Sequence, residues 1–369
     1  MDAQPIIILG DSLPTIPYKK VISEYKDIIC VIGEGEEAIV KIVEQSLIYH
    51  PAGLDFIKQR FIEDDIPNLA FEFKGNVVTT TRSVIDCENY HVTPYRPYLQ
   101  DILCKNGMIR IEASRGCPWS QCSFCIIPWK YGQTSWRPFP IKKILSEIIE
   151  VSQAGTGIIY FTDEEFIGHN RERVIHLCNE ILELKKSKTI NQNLKLYAST
   201  STRSINGTYN EEQNIALLTM MKDAGFLGFF LGIESGSNRQ LIRYNKGVTV
   251  DDNILAINLL RQIGLDIDVG FIMFDTEMNL NDLRENLDFL ERSGLSTHYS
   301  RFGKRLRTIP NTPLFSYYWS KDWTNIEMNM DNVEVEINFQ SEEIAVIYNV
   351  YKQWEERSTS KAYELQSII

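Results

Sequence analysis

Short apolar runs and amphipathic stretches alternate from the start of the chain. Residues 5–10 and 28–32 are apolar runs with the length of buried strands. Residues 36–49 follow the second run and carry apolar side chains at helical spacing. Residues 68–82 predict a hairpin that turns at residues 74–76, because a turn containing glycine separates two strand-like runs. The pattern predicts a small parallel α/β piece followed by a hairpin.

The alternation becomes regular from residue 109 onward. Strand-like runs occupy residues 109–114, 157–161, 194–199, 228–233, 267–274 and about 297–301. Apolar residues at helical spacing lie between most of these runs, as in 141–151 and 279–294. Strands that alternate with helices indicate βα units on a parallel sheet, and six units predict a partial (β/α)6 TIM-like barrel.

These patterns divide the α/β chain into four predicted regions. They are a truncated α/β piece at 1–66, a hairpin and linker at 67–104, the barrel at 105–320 and a helical extension at 321–369. The extension contains an amphipathic helix around 341–357. We expect this helix either to pack against the barrel or to act as a lid that contacts the substrate.

Composition and charge narrow the function classes. The 369 residues are 43% hydrophobic, which is ordinary for a globular protein, and no apolar run is long enough to span a bilayer. The first residues lack the basic region of a signal peptide, so we expect a cytoplasmic protein with no membrane partner. The formal net charge of −11 argues against a nucleic-acid partner, because nucleic-acid binders usually present a basic face.

Three of the seven cysteines lie in one loop directly after the first barrel strand. Cys117, Cys122 and Cys125 therefore belong to the strand end where barrel folds place their chemistry. Thiolates are the usual ligands of iron–sulfur clusters, and three of them leave one iron of a [4Fe–4S] cluster open. A structural zinc site is the alternative. Zinc requires a fourth ligand, and the nearest candidates, Cys104 and His91, lack zinc-finger spacing.

The loop from Arg115 to Cys125 resembles the cluster-binding loop of radical S-adenosylmethionine (SAM) enzymes. More narrowly, it is similar to the branch that carries an N-terminal cobalamin-binding domain. The common family spacing is C-x3-C-x2-C, and this chain has C-x4-C-x2-C, with one additional residue between the first two cysteines. The resemblance implies a [4Fe–4S] cluster on Cys117, Cys122 and Cys125, with SAM bound at the open iron.

Later strand ends carry further motifs of this family. Asp163 and Glu164 follow the second barrel strand and resemble the acidic motif that holds the SAM amino group, although acidic residues also favour helix N-termini. Ser199 and Arg203 follow the third strand. The resemblance implies that they contact the SAM carboxylate or ribose, and an ordinary helix N-cap is the alternative.

The fourth strand ends in Glu234 and Ser235, and Lys246 follows them. These residues resemble the "GIES … KG" signature of the family, in which the Glu and the Ser contact SAM. The fifth strand departs from the family, because it has Asp275 followed by Thr where many relatives have Pro-Gly. After the sixth strand, residues 309–315 resemble the family's "PGTPL" turn, with Asn in place of Gly.

The N-terminal piece resembles only part of a cobalamin-binding domain. Residues 9–15 and 33–36 are similar to the last two loops of that domain. The family's version begins with about three further strands, which this sequence lacks. Two explanations are open: the domain is reduced and binds no cobalamin, or a separate chain completes it.

The resemblance implies a radical enzyme. The reduced cluster passes an electron to SAM, which yields methionine and a 5′-deoxyadenosyl radical that abstracts hydrogen from an unactivated carbon. We expect functionalisation, with C-methylation as the leading reaction, of a peptide or natural-product intermediate, and an electron donor such as flavodoxin or ferredoxin. A cobalamin-independent epimerase, dehydrogenase, crosslinking or rearrangement enzyme is the alternative, and a zinc-stapled non-catalytic binding protein is another. No catalytic residue beyond the cofactor contacts is assigned.

Overall fold

A computed structural model describes residues 5–49, 52–132, 136–207, 209–296, 303–321, 328–329 and 333–366. The strands in these residues are β1 (Ile7–Leu9), β2 (Ile28–Val31), β3 (Leu69–Phe73), β4 (Asn76–Thr79), β5 (Ile109–Ile111), β6 (Ser114–Arg115), β7 (Arg137–Pro138), β8 (Ile158–Phe161), β9 (Lys195–Ser201), β10 (Phe226–Glu234), β11 (Asp266–Phe271), β12 (Met328–Asn329) and β13 (Glu334–Val335).

The helices follow the alternation that the sequence predicts. They are α1 (Ser12–Thr15), α2 (Tyr18–Glu24), α3 (Glu36–Ile48), α4 (Leu54–Glu63), α5 (Leu99–Cys104), α6 (Ile127–Lys130), α7 (Ile141–Gln153), α8 (Arg171–Lys186), α9 (Thr202–Asn206), α10 (Glu211–Ala224), α11 (Asn238–Arg243), α12 (Val250–Ile263), α13 (Leu280–Arg292), α14 (Pro313–Ser320) and α15 (Glu342–Gln366), with a short 3-10 helix at Cys87–Asn89. No helix in the described ranges is both long and apolar enough to cross a membrane.

The chain divides into two compact units. The N-terminal unit consists of Met1–Tyr90, Phe124–Ser135 and Thr308–Glu336, and the barrel unit consists of His91–Ser123, Trp136–Arg307 and Ile337–Ile369. The region boundaries expected from the sequence stay predictions. The structure adds that the hairpin of residues 68–82 pairs with β2 and so belongs to the same sheet as the first two strands.

The N-terminal unit is built on a four-stranded sheet in the order β1-β2-β3-β4. β1 and β2 are parallel, as the sequence predicts, whereas β3 and β4 extend the sheet in antiparallel fashion. The predicted parallel pairing of the first two strands is confirmed, and the predicted hairpin completes the sheet. One face is covered by α3 and α4 through Ala38, Ile42 and Phe61, and the other is covered by α2 through Val21 and Ile22.

The barrel unit contains a parallel sheet in the order β11-β10-β9-β8-β5, counted over the described residues. Crossover helices pack on one another, α7 on α8, α8 on α10 and α10 on α12. This confirms the predicted α/β partial barrel. The sixth strand, expected at about 297–301, lies outside the described residues, and a parallel bridge joins Phe274 to Arg305 beside β11.

Two strand ends differ from the prediction. The first barrel strand leaves the sheet after Ile111, and Ser114–Arg115 pairs instead with Arg137–Pro138 as a small antiparallel ribbon. The fifth strand ends at Phe271 rather than at residue 274. Both ends turn early because their residues bond to neighbouring loops rather than to the next strand. The Ala113 amide donates to the Asp163 carboxylate, and the Phe274 amide donates to the Lys304 carbonyl.

The C-terminal helix α15 packs against the end of the fifth strand. The ring centroids of Tyr348 and Tyr351 lie 5.2 and 6.2 Å from that of Phe274. The Arg305 guanidinium stacks on Phe339, 4.1 Å from its ring centroid. The predicted packing role of this helix is therefore confirmed.

Candidate active site

The cysteine loop begins where β5 leaves the sheet. Gly116 has a φ of 83°, which favours glycine, and its amide donates to the Glu164 carboxylate at 3.1 Å. Ser120, one of the four residues between Cys117 and Cys122, also has a positive φ, of 46°. Its hydroxyl donates to the Cys117 carbonyl. The longer cysteine spacing is thus absorbed by a tight turn closed within the loop.

The three loop thiols are half-buried. Burial raises the pKa of Cys117, and it raises the pKa of Cys122 to about 11. The Lys246 ammonium group opposes both shifts, because a nearby positive charge favours the thiolate. Among the described residues, no three His, Cys, Asp or Glu side chains stand close enough together to hold a metal ion. In donor type and local charge, however, the residues fit an iron–sulfur cluster.

The second barrel strand ends in three consecutive acidic residues. The buried Asp163 carboxylate accepts hydrogen bonds from the Ala113 amide at 2.9 Å and from the Ser114 hydroxyl. Burial raises the pKa of Asp163 to about 7. Asp163 therefore fixes the chain that enters the cysteine loop, whereas Glu164 binds the loop itself at Gly116.

Glu165 is a buried acidic residue that the sequence analysis did not select. Its carboxylate accepts hydrogen bonds from the Thr200 hydroxyl at 2.5 Å and the Ser201 amide at 2.8 Å. Burial raises its pKa, and these donors oppose that rise. Glu165 joins the ends of β8 and β9. The sequence signal for this residue is the run of three acidic residues, and the prediction used only Asp163 and Glu164.

Of the two residues predicted at the end of the third strand, Arg203 borders the cavity described below. The Ser199 hydroxyl is half-buried and bonds the Tyr160 hydroxyl at 2.9 Å. Arg203 lies in α9 with its guanidinium 3.8 Å from the Trp119 ring centroid, and it donates to the Gly247 carbonyl. Ser201, rather than Ser199, caps α9.

A cavity of about 410 Å³ opens beside the cysteine loop. Its walls include Cys117, Trp119, Arg171, Ser201, Arg203 and Asp252. Arg171 is buried, donates to the carbonyls of Ser204 and Ile205, and has a pKa lowered by burial. The cavity thus places two guanidinium groups near the first cysteine of the loop.

The fourth strand ends in a bend at Glu234. The pairing register of β10 with β11 shifts between Gly232 and Glu234, and Glu234 has a φ of 65°. Such a conformation costs a non-glycine residue about 1–3 kcal/mol, and such strain clusters at functional sites. The Glu234 carboxylate accepts from the Lys246 ammonium at 3.0 Å. Gly232 makes room for this pair, because a Cβ there would lie 3.0 Å from the Lys246 nitrogen.

Ser235 lies beneath the strand end rather than in the cavity. It is completely buried, and its hydroxyl oxygen lies 2.6 Å from the Gln240 side-chain oxygen and 2.9 Å from that of Asn286. The same hydroxyl accepts from the Ser237 amide at 2.9 Å. The structure therefore brings Glu234 and Lys246 together but directs Ser235 into a buried network.

Half-buried thiols, buried carboxylates and a mostly buried ion pair thus meet at the carboxyl ends of parallel strands. Thiols and charged side chains grouped at this end of the strands are typical of the active site of a barrel enzyme. Residues 111–290 match the profile of the Radical SAM superfamily, so the chain contains a Radical SAM domain.

Similar proteins agree with this assignment. The chain is 30% identical over 307 residues to the 4'-phospho-dehydrooxetanocin synthase of Priestia megaterium, covering 79% of this chain and 39% of that protein. It is 28% identical over 247 residues to the Hopanoid C-2 methylase of Rhodopseudomonas palustris (strain TIE-1), covering 66% of this chain and 43% of that protein. The chain therefore spans about two fifths of these relatives.

The fold also matches a solved structure. It is that of the cobalamin-dependent S-adenosylmethionine radical enzyme OxsB with aqua-cobalamin and S-adenosylmethionine bound, at a TM-score of 0.81 and 23% identity. The match covers 98% of this chain and 55% of that chain. The expected likeness to the cobalamin-dependent branch is confirmed at the level of fold. The Radical SAM domain implies a [4Fe–4S] cluster and SAM as cofactors.

Proposed function

We propose that this protein reductively cleaves SAM and uses the resulting radical to functionalise an unactivated carbon of a peptide or natural-product intermediate. The observation that carries the proposal is the strained Glu234, paired with Lys246 beside the cysteine loop. The positive charge of Lys246 opposes the rise in the pKa of the Cys117 and Cys122 thiols, and the same ammonium group pairs with Glu234. One cation therefore links the proposed cluster ligands to a predicted SAM contact.

The chain's own residues would divide the work. Cys117, Cys122 and Cys125 would hold the [4Fe–4S] cluster, which supplies the electron for SAM cleavage when bound. Arg203 lines the cavity and offers a guanidinium group to the SAM carboxylate. Glu234, held by Lys246, offers a carboxylate to the polar groups of SAM. Asp163, Glu164 and Ser199 would support these positions.

The test is anaerobic incubation of the reconstituted protein with SAM and a reductant, with 5′-deoxyadenosine as the readout. We expect 5′-deoxyadenosine from the wild type and at least about 1,000-fold less from Cys122→Ala, because removal of one ligand leaves the cluster incompletely held. Cys104→Ala is the matched control, since Cys104 is exposed and outside the loop. A wild-type protein that holds iron and sulfide yet forms no 5′-deoxyadenosine would overturn the proposal.

C-methylation is the leading candidate for the fate of the substrate radical, and a relative's name favours it. The relative from R. palustris is called a methylase. Residues 9–15 and 33–36, which resemble loops of a cobalamin-binding domain, make hydrogen bonds within the N-terminal unit. The Gly33 amide donates to the Thr15 hydroxyl, and the buried Glu34 carboxylate accepts from the Ile85 amide at 2.6 Å. A Cβ at Gly33 would lie 2.7 Å from Arg82. These contacts lie within the N-terminal unit and include none to a corrin, so we derive no step through cobalamin.

Reconstitution with hydroxocobalamin distinguishes C-methylation from a cobalamin-independent radical reaction. Retained corrin absorbance after gel filtration would support methylation, and its absence would favour a cobalamin-independent radical reaction. The small-molecule or peptide substrate, a flavodoxin-like or ferredoxin-like electron donor, a separate chain that completes the cobalamin domain and a cytoplasmic location all stay predictions.

A further inference from the structure

Residues 243–245, a turn at the end of α11, accept hydrogen bonds from the cysteine loop at three consecutive backbone carbonyls. The Ser123 hydroxyl donates to the Arg243 carbonyl at 2.9 Å, and the Ser123 amide donates to the Tyr244 carbonyl at 2.8 Å. The Trp119 indole N–H donates to the Asn245 carbonyl at 2.7 Å. The turn therefore holds the loop on both sides of Cys122.

Asn245 adds a fourth bond in the opposite direction. Its side-chain amide donates to the Gln121 carbonyl at 2.8 Å. Asn245 has a φ of 47°, a left-handed conformation that Asn tolerates better than most residues. Gln121 and Trp119 both lie between Cys117 and Cys122, in the segment that is one residue longer than the common spacing. Two of the four bonds thus fall on the lengthened segment.

Beneath this turn, a fully buried carboxylate fixes its side chains. One oxygen of Asp275 accepts from Gln240 at 2.8 Å, from Arg243 at 2.5 Å and from the Tyr244 hydroxyl at 2.7 Å. The other oxygen accepts from the Glu277 amide at 2.8 Å. A buried charge with this many donors is well satisfied and gives the turn a single defined conformation. The carbonyls that face the loop are held in place as a consequence.

Two of the places where the sequence departs from the family are therefore linked through this turn. One is the additional residue between the first two cysteines, and the other is Asp275 at the end of the fifth strand. We propose that residues 243–245 form a clamp that sets the conformation of the cysteine loop, and that Asn245 and Asp275 are positioning residues for the iron–sulfur cluster. This inference rests on the proposed ligation by the loop cysteines.

The first experiment uses the metal-free protein, so it does not depend on the cluster. Asn245→Gly removes the bond to Gln121 while keeping a residue that accepts a positive φ. We expect hydrogen exchange of a peptide spanning residues 117–123 to become about five to ten times faster, as the loss of a net hydrogen bond allows. Asn106→Gly is the matched control, because Asn106 is an exposed turn residue with a φ of 54°. Equal exchange rates in the wild type and Asn245→Gly would overturn the clamp.

The second experiment follows the cluster itself. Tyr244→Phe removes the hydroxyl that binds Asp275 and keeps the ring, so the fold is retained and only the anchor of the clamp is weakened. We expect the reduced cluster in Asn245→Gly and Tyr244→Phe to show altered electron paramagnetic resonance line shape and about tenfold faster iron loss to a chelator, with Asn106→Gly unchanged. Spectra and iron loss identical to wild type in both variants would overturn the positioning role. A wild type that takes up no iron would instead contradict the proposed function, while the exchange experiment still decides the clamp.

Discussion

The strand ends of the barrel unit differ from helix α3 of the N-terminal unit in the side chains that they bury and expose. In the barrel unit, the carboxylates of Asp163, Glu165 and Asp275 are buried, and each accepts several hydrogen bonds. In the N-terminal unit, α3 exposes a row of large aliphatic side chains, the α3 stripe: Ile39, Val40, Val43, Leu47 and Ile48. β1, the edge strand of that sheet, exposes Ile7 as well.

This difference shows what each region is suited to do. Burying a carboxylate is costly unless it is fully hydrogen-bonded, so the networks in the barrel unit specify one conformation of the strand-end loops. A contiguous exposed apolar surface is instead typical of a site that binds another molecule. The buried networks therefore fix the strand-end loops of the barrel unit, whereas the α3 stripe leaves large apolar side chains exposed.

The largest expected effect on activity concerns Glu234 of the barrel unit. Glu234→Gln keeps the shape of the side chain and removes its charge, so we expect kcat/KM for SAM cleavage to fall about 10- to 100-fold, the equivalent of one charge-assisted hydrogen bond. The measurement is the rate of 5′-deoxyadenosine formation against SAM concentration. Glu285→Gln is the control, because Glu285 is exposed on α13. If both variants retain wild-type kinetics, the strand-end charges of the barrel unit serve stability alone.

The sequence predicted the barrel well because its signals are local. Apolar runs became parallel strands within a few residues, and the cysteine loop and the residues Glu234 and Lys246 lie at strand ends as expected. The contacts of Asn245 were not predicted, because Gln121 and Trp119 are more than 120 residues away in the chain. A hydrogen bond between distant segments leaves no periodic trace in a sequence.

Burial was harder to predict than secondary structure. Ser235 matched a SAM-contact motif, yet its hydroxyl is satisfied by core side chains. In α3 the sequence showed an apolar face, but only Ala38 and Ile42 of that helix are buried. Periodicity shows which side of a helix is apolar, and it does not show how much of that side another element covers.

A second prediction compares a buried acid of the barrel unit with an exposed acid of the N-terminal unit. Burial raises the pKa of Asp163 to about 7, whereas hydrogen bonds from Asn89 and Glu88 lower the pKa of Asp86. An unfolded aspartate releases its proton near pH 4, about three pH units before folded Asp163 does. Asp163 therefore lowers the free energy of unfolding as pH rises from about 4 to 7, with a slope of up to about 1.4 kcal/mol per pH unit. Above pH 7 its contribution is level.

The check is chemical unfolding of the metal-free protein across this pH range. We expect Asp163→Asn to flatten the slope between about pH 4 and 7. Asp86→Asn should leave the slope in that range unchanged, because its effect on stability is constant above about pH 4 and changes only below, where the wild-type carboxylate takes up its proton. An Asp163→Asn variant that keeps the wild-type slope would show that the buried acid is ionised throughout, held by its donors and by nearby Arg173.

The smallest effect tests the α3 stripe. Leu47 is 75% exposed and Ile42, one turn and a residue earlier on the same helix, is 1% exposed. Leu47→Glu should change the free energy of unfolding by no more than about 0.5 kcal/mol, as is usual for an exposed position. Ile42→Glu should cost about 3–5 kcal/mol, because it leaves an unpaired charge in the core. Urea unfolding of both variants gives the two values on one helix.

The same pair of variants decides whether the stripe is free in solution. If Leu47→Glu costs more than about 2 kcal/mol, the side chain is buried by a partner or a second copy, since an exposed leucine has no packing to lose. Sedimentation velocity of the wild type then shows an assembly that the variant lacks. If the cost is small and SAM cleavage is unchanged, the exposed surface of the N-terminal unit contributes neither to folding nor to the radical chemistry. The exposed side chains of the α3 stripe would then differ from the buried acids of the barrel unit, whose removal changes stability or SAM cleavage.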